Sequence, residues 1–453
     1  MVFEMVKVVV IGGNAAGLSA ASAIKRTKPD WEVNVYEKGS YISYGSCGLP
    51  YYVAGMVKSS DKLITLTRET LLNKRNIPVY IHHNVKAVDF DNKTVTVENL
   101  DENKEFTEKY DYLFISTGAK PKLTKGLDVD HPRVFKVHVI DDADYIKEQI
   151  SKYKMKTGII IGSGYIGLEM LEAYETVGVE KLILIGKRLV FKSKTAEYVQ
   201  KELERHNIQL VIGHTGEKII PLSDERLKVI TDDNQEFEGD FVQVSIGVVP
   251  NTDMFKGTKL KMLKGAILTD EYMRTNIEGV YAGGDCCAVY HQIKKKYTYV
   301  PLAPAANKQG RLAGYTIAGK KVDSYPGVVG TSIFKVFDLH CAKTGVNLEE
   351  AKELGYNAES IIIENNEIAH YYPGVKKMSI LLVFDKDSHL FLGGEITAPS
   401  PSGAKKIDVL ATCLAAKMKI DDMQKLDLAY APPFAPTYDP VLIAANVARR
   451  KCK

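Results

Sequence analysis

The stretch KVVVIGGNAAGL, residues 7–18, decides the fold. Lys7–Ile11 is a run of strand length, apolar after its first residue. Gly12, Gly13, Asn14, Ala15, Ala16 and Gly17 follow as a turn, and a small-residue helix opens at Leu18. This is a G-x-G-x-x-G frame with Asn14 at the middle glycine. Glycines here allow a tight reversal and let the backbone approach a pyrophosphate, while the helix N-terminus faces the phosphate charge. Asn tolerates unusual backbone angles better than most residues. The next strand, Val33–Tyr36, ends at Glu37, twenty residues past Gly17. A carboxylate there accepts hydrogen bonds from ribose hydroxyls. A glycine turn alone can bind nothing; strand, helix and carboxylate in register predict a dinucleotide site.

The pattern recurs at Gly158–Val177. Ile159–Ile161 lead into Gly162, Ser163, Gly164, Tyr165, Ile166 and Gly167, an intact G-x-G-x-x-G frame. The following strand, Lys181–Ile185, ends at Gly186, nineteen residues past Gly167, with Lys187 and Arg188 next. A missing carboxylate removes repulsion toward a 2′-phosphate, and two cations can pair with one. NADPH is therefore the expected second cofactor, with NADH also usable; the bland alternative is a solvated turn. Two such units imply an α/β protein with two doubly wound, Rossmann-like nucleotide-binding domains. The last third has no glycine-turn unit. Strands Met378–Phe384 and His389–Ile396 around an Asp385–Ser388 turn, then a helix over Ser402–Met418, predict a third, α+β domain.

A chain of 453 residues fits two or three cores. With 60 basic and 56 acidic residues the net charge is +4, which gives no argument for nucleic acid or an anionic membrane as partner. No apolar run reaches membrane-spanning length and no cleavable leader is expected, so the expected location is cytoplasmic. Six cysteines in so long a chain do not make a disulfide scaffold, and none sits at metal-binding spacing, so no metal is expected. Cys286 and Cys287 read as packing residues, Cys341 and Cys413 as core, and Cys452 as part of a frayed tail.

Cys47 stands apart, in YGSCGLPYY at residues 44–52. Gly45 and Gly48 permit close backbone approach, and a helix starting at Gly48 would stabilise a thiolate. The alternative is an inert buried thiol.

Two further segments are informative: YDYLFISTGAKP at 110–121 and TNIEGVYAGGDC at 275–286. With them the chain resembles the FAD-dependent pyridine nucleotide–disulfide oxidoreductases. The resemblance implies FAD on the first turn with Glu37, Val85, Thr117, Gly118, Ala303 and Tyr430, and Asp285 on its ribityl chain. It places Glu169 beside the nicotinamide. Gly247, with Pro250 and Asn251, would lie in the strand closing the NAD(P)H domain. The implied division is an FAD domain at 1–112 and 245–325, an NAD(P)H domain at 113–244 and a dimerisation domain at 326–453.

One branch of this group carries a second cysteine five residues on, where this chain has Tyr52. PLAPAANKQGRLAG (301–314), GTSIFKVFDL (330–339), HYYPG (370–374) and LDLAYAPPFAPTYDPV (426–441) are similar to the single-cysteine branch. That branch holds coenzyme A-disulfide reductases, NADH oxidases, NADH peroxidases and NAD(P)H sulfur or persulfide reductases. Oxidases and peroxidases often have a His where Ala15 stands, which removes an acid–base group for oxygen chemistry. The coenzyme A contacts implied are Ser19, Arg26, Ser43, Ser46 and Arg75, with Ala23 where Gln is usual. The last domain would form a homodimer and send Tyr372 and Tyr430 into the partner's site. No rhodanese domain, common in persulfide reductases, is expected after Lys453. The expected activity is NAD(P)H-dependent reduction of coenzyme A disulfide or a related persulfide through a Cys47 mixed disulfide. Oxygen or elemental sulfur as acceptor stays open, as does a redox sensor or electron-transfer module without turnover.

Overall fold

The structure, a computed structural model, describes residues 5–191 and 193–452. Its first unit is a five-stranded sheet ordered Val280–Ala282, Tyr112–Ile115, Lys7–Ile11, Glu32–Tyr36, Val79–Tyr80, with every pairing parallel. Parallel strands buried on both faces must be continuously apolar, and Val8, Val9, Val10, Leu113, Phe114 and Ile115 are all buried. Helix α1 (Ala15–Thr27) follows the glycine turn, and α2 (Leu49–Val53) and α3 (Arg68–Arg75) complete the first pass.

The second unit repeats the design. Its sheet runs Gln209–Ile212, Lys181–Gly186, Thr157–Ile161, Phe241–Val244, Val134–Phe135, again all parallel. It carries helices α4 (Ile140–Tyr153), α5 (Tyr165–Thr176) and α6 (Thr195–Arg205). Two expectations shift here. The first sheet takes Tyr112–Ile115, so its chain continues past residue 112. The strand closing the second sheet is Phe241–Val244; Val248–Pro250, after Gly247, instead pairs antiparallel with Ala119–Pro121. The crossing between units is thus a two-stranded ribbon, which satisfies backbone groups that two single linkers would leave open.

The chain then returns to the first unit through helix α7 (Ala303–Ile317), which lies on α1. The approach is close because the contact residues are small: a Cβ on Gly310 would sit 2.1 Å from Ala16 O. Ala23 is fully buried at the same contact, 2.8 Å from the position of a Cβ on Gly314, so the usual Gln has no room there.

The last domain is a five-stranded antiparallel sheet ordered Ser332–Val336, Leu339–Gly345, Phe391–Ala398, Lys377–Asp385, Ala358–Asn366. Its helices include Pro401–Lys405, Ile407–Ala415 and Pro440–Lys451. Cys452 caps the last of these and its thiol donates to Ala448 O, so the expected frayed tail is a packed helix end. The helix holds because Val441, Ala444, Ala445 and Ala448 are buried against the sheet. No helix among the described residues is long and apolar enough to cross a membrane.

Candidate active site

The first glycine turn is built around close backbone contact. Gly12 has φ +104°, and a Cβ there would lie 2.2 Å from Ser116 O. A Cβ on Gly17 would lie 1.9 Å from Gly12 O. Neither position accepts a side chain, so the turn presents bare backbone at the head of α1. Glu37 fixes the turn by accepting N–H bonds from Gly13 and Gly39, both at 2.7 Å. A carboxylate has about four acceptor sites, so it keeps capacity for ribose hydroxyls. Asn14 differs from expectation. It is the α1 N-cap with an ordinary extended φ of −114° and makes no side-chain cap bond, so its tolerance of strained angles is not used.

Beside this cradle, Thr117 Oγ1 is buried with no hydrogen-bond partner, a cost a native fold accepts where a ligand supplies the bond. Asp285 has its carboxyl pushed above the usual range by burial, partly offset by His138. A side-chain-free turn, an unpaired buried hydroxyl and a carboxylate with spare acceptors fit FAD.

The second turn has the same stereochemistry. A Cβ on Gly167 would lie 1.9 Å from Gly162 O. At Gly186 a Cβ would lie 2.1 Å from Ser163 Oγ, which itself donates to Arg188 O at 2.5 Å. A side chain at position 186 would thus meet Ser163, whose hydroxyl ties down the Lys187–Arg188 loop. Lys187 and Arg188 are both exposed. These features fit a nicotinamide dinucleotide with a 2′-phosphate.

Cys47 is the exposed cysteine; Cys286, Cys287, Cys341 and Cys413 are buried and Cys452 is intermediate. It sits in a 3-10 turn, Ser46–Gly48, that runs into α2. The preceding loop is pinned to the first glycine turn. Ser43, in the left-handed region at φ 50°, donates its N–H to Gly13 O and accepts from Thr65 N. Gly48 does precede a helix, yet the Cys47 thiol is pushed up, not down. Surrounding protein desolvates it although its surface is open, and Glu169 and Asp285 add repulsion; a Ser46 hydrogen bond opposes them only in part. A single turn and a half of helix offers too little dipole to win.

Those two carboxylates matter as position markers: Asp285 comes from the first unit and Glu169 from α5 of the second, and both act on one sulfur. Helix α2 packs against α4 and α5. Tyr52 donates to Asp144, Lys147 donates to Tyr52 O at 2.9 Å, and Tyr51 Oη lies 3.4 Å from Glu169 Oε1. Burial pushes the Glu169 carboxyl up to about 7, with the Tyr51 bond opposing. The part of Tyr51 and Tyr52 in this site had no signal in the sequence beyond their place in YGSCGLPYY.

The expected substrate residues separate into two places. Ser43 and Ser46 adjoin Cys47. Ser19 donates to Asn307 Oδ1 at 3.0 Å, and Arg75 donates to the Oγ of the buried Ser22 at 2.7 Å, both on α1, where Arg26 is exposed. Val85 is buried in the Val9–Ile115 core, and Ala303 is the first residue of α7. On the last domain Tyr430 pairs with Tyr371, Oη to Oη 3.2 Å, while Tyr372 stands exposed beside them. Phe434 and Tyr438, on the segment that follows Tyr430, are also exposed, 68% and 69%. Among the described residues, the one group spaced to hold a metal is His214, Asp232 and Asp233, at the surface of the second unit.

The sequence profile of the pyridine nucleotide-disulphide oxidoreductases matches residues 6–310, and that of their dimerisation domain matches 331–440. A Pyrococcus furiosus NAD(P)H sulfur oxidoreductase (CoA-dependent) is 37% identical over 98% of this chain and 100% of its own. A Staphylococcus haemolyticus coenzyme A disulfide reductase is 28% identical over 98% and 100%. The water-forming NADH oxidase of Lactobacillus brevis, solved with NADH bound, superposes with a TM-score of 0.92 at 34% identity, covering 99% of both chains.

Proposed function

The chain belongs to the pyridine nucleotide-disulphide oxidoreductase family and is an FAD-dependent NAD(P)H oxidoreductase; from that premise we propose that it reduces coenzyme A disulfide, or a related coenzyme A persulfide or polysulfide, through a mixed disulfide at Cys47. The observation that carries this reading is the convergence on Cys47: it is the exposed thiol, and carboxylates from both nucleotide units act on it.

We assign FAD to Gly12–Gly17, Glu37, Val85, Thr117, Gly118, Asp285 and Ala303, and the nicotinamide dinucleotide to Gly162–Gly167, Glu169, Gly186, Lys187, Arg188 and Gly247. Bound FAD supplies two-electron transfer between nicotinamide and sulfur. The chain's own part is thiol chemistry. The Cys47 thiolate attacks one sulfur of the substrate disulfide, a Cys47–S–S–CoA bond forms, and one coenzyme A thiolate leaves. Ser43 and Ser46 orient the incoming thioalkyl arm. Arg26 and Arg75 offer cations to phosphates, and Ser19 a hydroxyl. Without a cysteine at position 52, no internal disulfide can replace the adduct as resting state.

The dimerisation profile supports a homodimer. We place Tyr372 and Tyr430 of the partner subunit at the Cys47 site, where a phenol can protonate a departing thiolate. A reducing compartment such as the cytoplasm suits the five other free cysteines.

Mass spectrometry of the untreated protein tests the reading: Cys47 should be heavier by one coenzyme A, and dithiothreitol should remove it. A free thiol or a sulfenic acid at Cys47, with rapid NADH consumption in air and none on coenzyme A disulfide, would replace this reading with oxygen reduction.

A further inference from the structure

A cavity of about 350 Å³ opens beside the hairpin made by Val289–His291 and Lys296–Thr298. No residue assigned above to FAD, the nicotinamide dinucleotide or coenzyme A lines it. Its core side is formed by Met273, Ala288, Val289 and Gln309, all buried. Three tyrosines, Tyr290, Tyr297 and Tyr325, line it with them. Tyr290 and Tyr297 are directly opposite on the two strands, so their side chains share a face, with ring centroids 5.8 Å apart at 73°. Tyr297 is fixed by its hydroxyl, which donates to Thr269 O at 2.9 Å. Tyr325 comes in on a strap held by backbone. Its N–H donates to Glu271 O at 2.8 Å, and the Val328 N–H donates to Tyr290 O at 2.9 Å. Gly327, at φ +85°, lets that strap approach: a Cβ there would lie 2.1 Å from Tyr290 O. The walls are thus set by main-chain contacts, and the space between them does not depend on loose side chains.

The charged groups of the lining are Asp270 and Glu271, with no Lys or Arg among them. Asp270 is engaged: one oxygen accepts the Tyr272 and Arg274 N–H groups at 2.9 and 2.8 Å, and the other lies 3.8 Å from the Arg274 guanidinium. Arg274 in turn sits over the Tyr272 ring, 5.1 Å from its centroid, outside the lining. The Glu271 carboxylate makes no hydrogen bond or ion pair among the described residues. It nevertheless acts on the aromatic wall, since Glu271, after burial, is the largest influence raising the Tyr297 phenol. An anion would meet two carboxylates here. A hard metal ion would find one free carboxylate where it wants six or more oxygens. Tyrosine rings beside an uncompensated negative charge favour an ammonium group carried on carbon. The volume is at the small end of ligand pockets. We propose that this cavity binds a small organic cation of the alkylammonium class, held by the rings of Tyr290, Tyr297 and Tyr325 and by the charge of Glu271. The site is separate from Cys47 and does not depend on its chemistry.

The test is isothermal titration calorimetry of the FAD-loaded protein with choline chloride, against sodium chloride at the same ionic strength. Binding is expected with a Kd on the order of 1 mM. Dimethylbutanol, the neutral carbon isostere of choline, should bind roughly tenfold more weakly or not at all, because it keeps the shape and loses the charge. Glu271→Gln and Tyr290→Leu should each weaken choline about threefold or more, whereas Tyr290→Phe, which keeps the ring, should bind as the wild type does. Flavin absorbance per mole of protein shows that each variant is folded. Equal affinity for choline and its neutral isostere overturns the cationic class of the ligand. No heat from choline with the folded wild type, or undiminished binding in either Glu271→Gln or Tyr290→Leu, overturns the site.

Discussion

A single methyl group at residue 17 would collide with Gly12 O at 1.9 Å, and backbone cannot step aside as a side chain can. Gly17→Ala is therefore expected to cost about 1–3 kcal/mol through overpacking and to empty the first site. Flavin absorbance per mole of purified protein checks it; a full complement of FAD would contradict the close-contact account of the turn. At Lys187 and Arg188 the argument is electrostatic. Lys187→Ala/Arg188→Ala should raise KM for NADPH roughly tenfold or more, the loss of one or two charge-assisted bonds, with KM for NADH nearly unchanged. Steady-state kinetics with both cofactors decide it. The glycine turns, Glu37 and Cys47 were legible because each is declared by its immediate neighbours. The meeting of α2 with α5 beside Cys47 was not. Tyr51 and Glu169 are 118 positions apart, and only packing brings them together.

Helix α5 carries Glu169 and the second glycine turn, and the last domain holds it from outside. Tyr165 bonds Ser332 at 2.8 Å, while Glu172 pairs with Lys335 and accepts the Phe337 N–H at 2.9 Å. Glu172 is only 9% exposed, so removing its cation leaves a carboxylate that is poorly solvated. Lys335→Met should destabilise by about 2–3 kcal/mol, less than the fully buried case because the Lys side chain is 35% exposed. Urea midpoints measure the loss. A rise in KM for NAD(P)H should accompany it as α5 loosens. Unchanged stability would mean that water already solvates the pair. None of these ties was readable beforehand. GTSIFKVFDL marked a likeness to the single-cysteine branch, but which helix it would touch depends on how two separate units pack.

Across the whole molecule, the joint between the first unit and the last domain is where a pH dependence is expected. His291 is 3% exposed, and a Cβ on Gly330 would lie 2.9 Å from its Nε2. Burial, with Lys294 adding to it, lowers its pKa to about 4. The unfolded chain takes up a proton near pH 6.5 and the folded one does not until about 4. Stability is thus full above pH 6.5 and falls as pH drops toward 4, by up to about 3 kcal/mol from this group. Comparing urea midpoints at pH 7 and 5 for wild type and His291→Gln checks the sign, since the variant should lose less. The exposed aromatics Tyr371, Tyr372, Tyr430, Phe434 and Tyr438 of the last domain belong to the same scale. Exposed aromatics on a dimerisation domain are where a second copy would be expected to dock. If the proposed homodimer closes over this surface, Phe434→Arg should convert dimers to monomers in sedimentation velocity and lower disulfide turnover. An unchanged dimer would place the interface elsewhere.

By itself the sequence determined two glycine-turn nucleotide units, a third α+β domain and a family that uses FAD and NAD(P)H. All of these follow from short-range order: strand periodicity, glycine spacing, and residues within about twenty positions of one another. Tertiary structure decided the rest. It routed the crossing between units through a two-stranded ribbon, packed Ser163 against Gly186, and raised the Cys47 thiol where a helix start alone would lower it. Sterics and desolvation depend on the density of atoms arriving from distant parts of the chain, and no local pattern encodes that density.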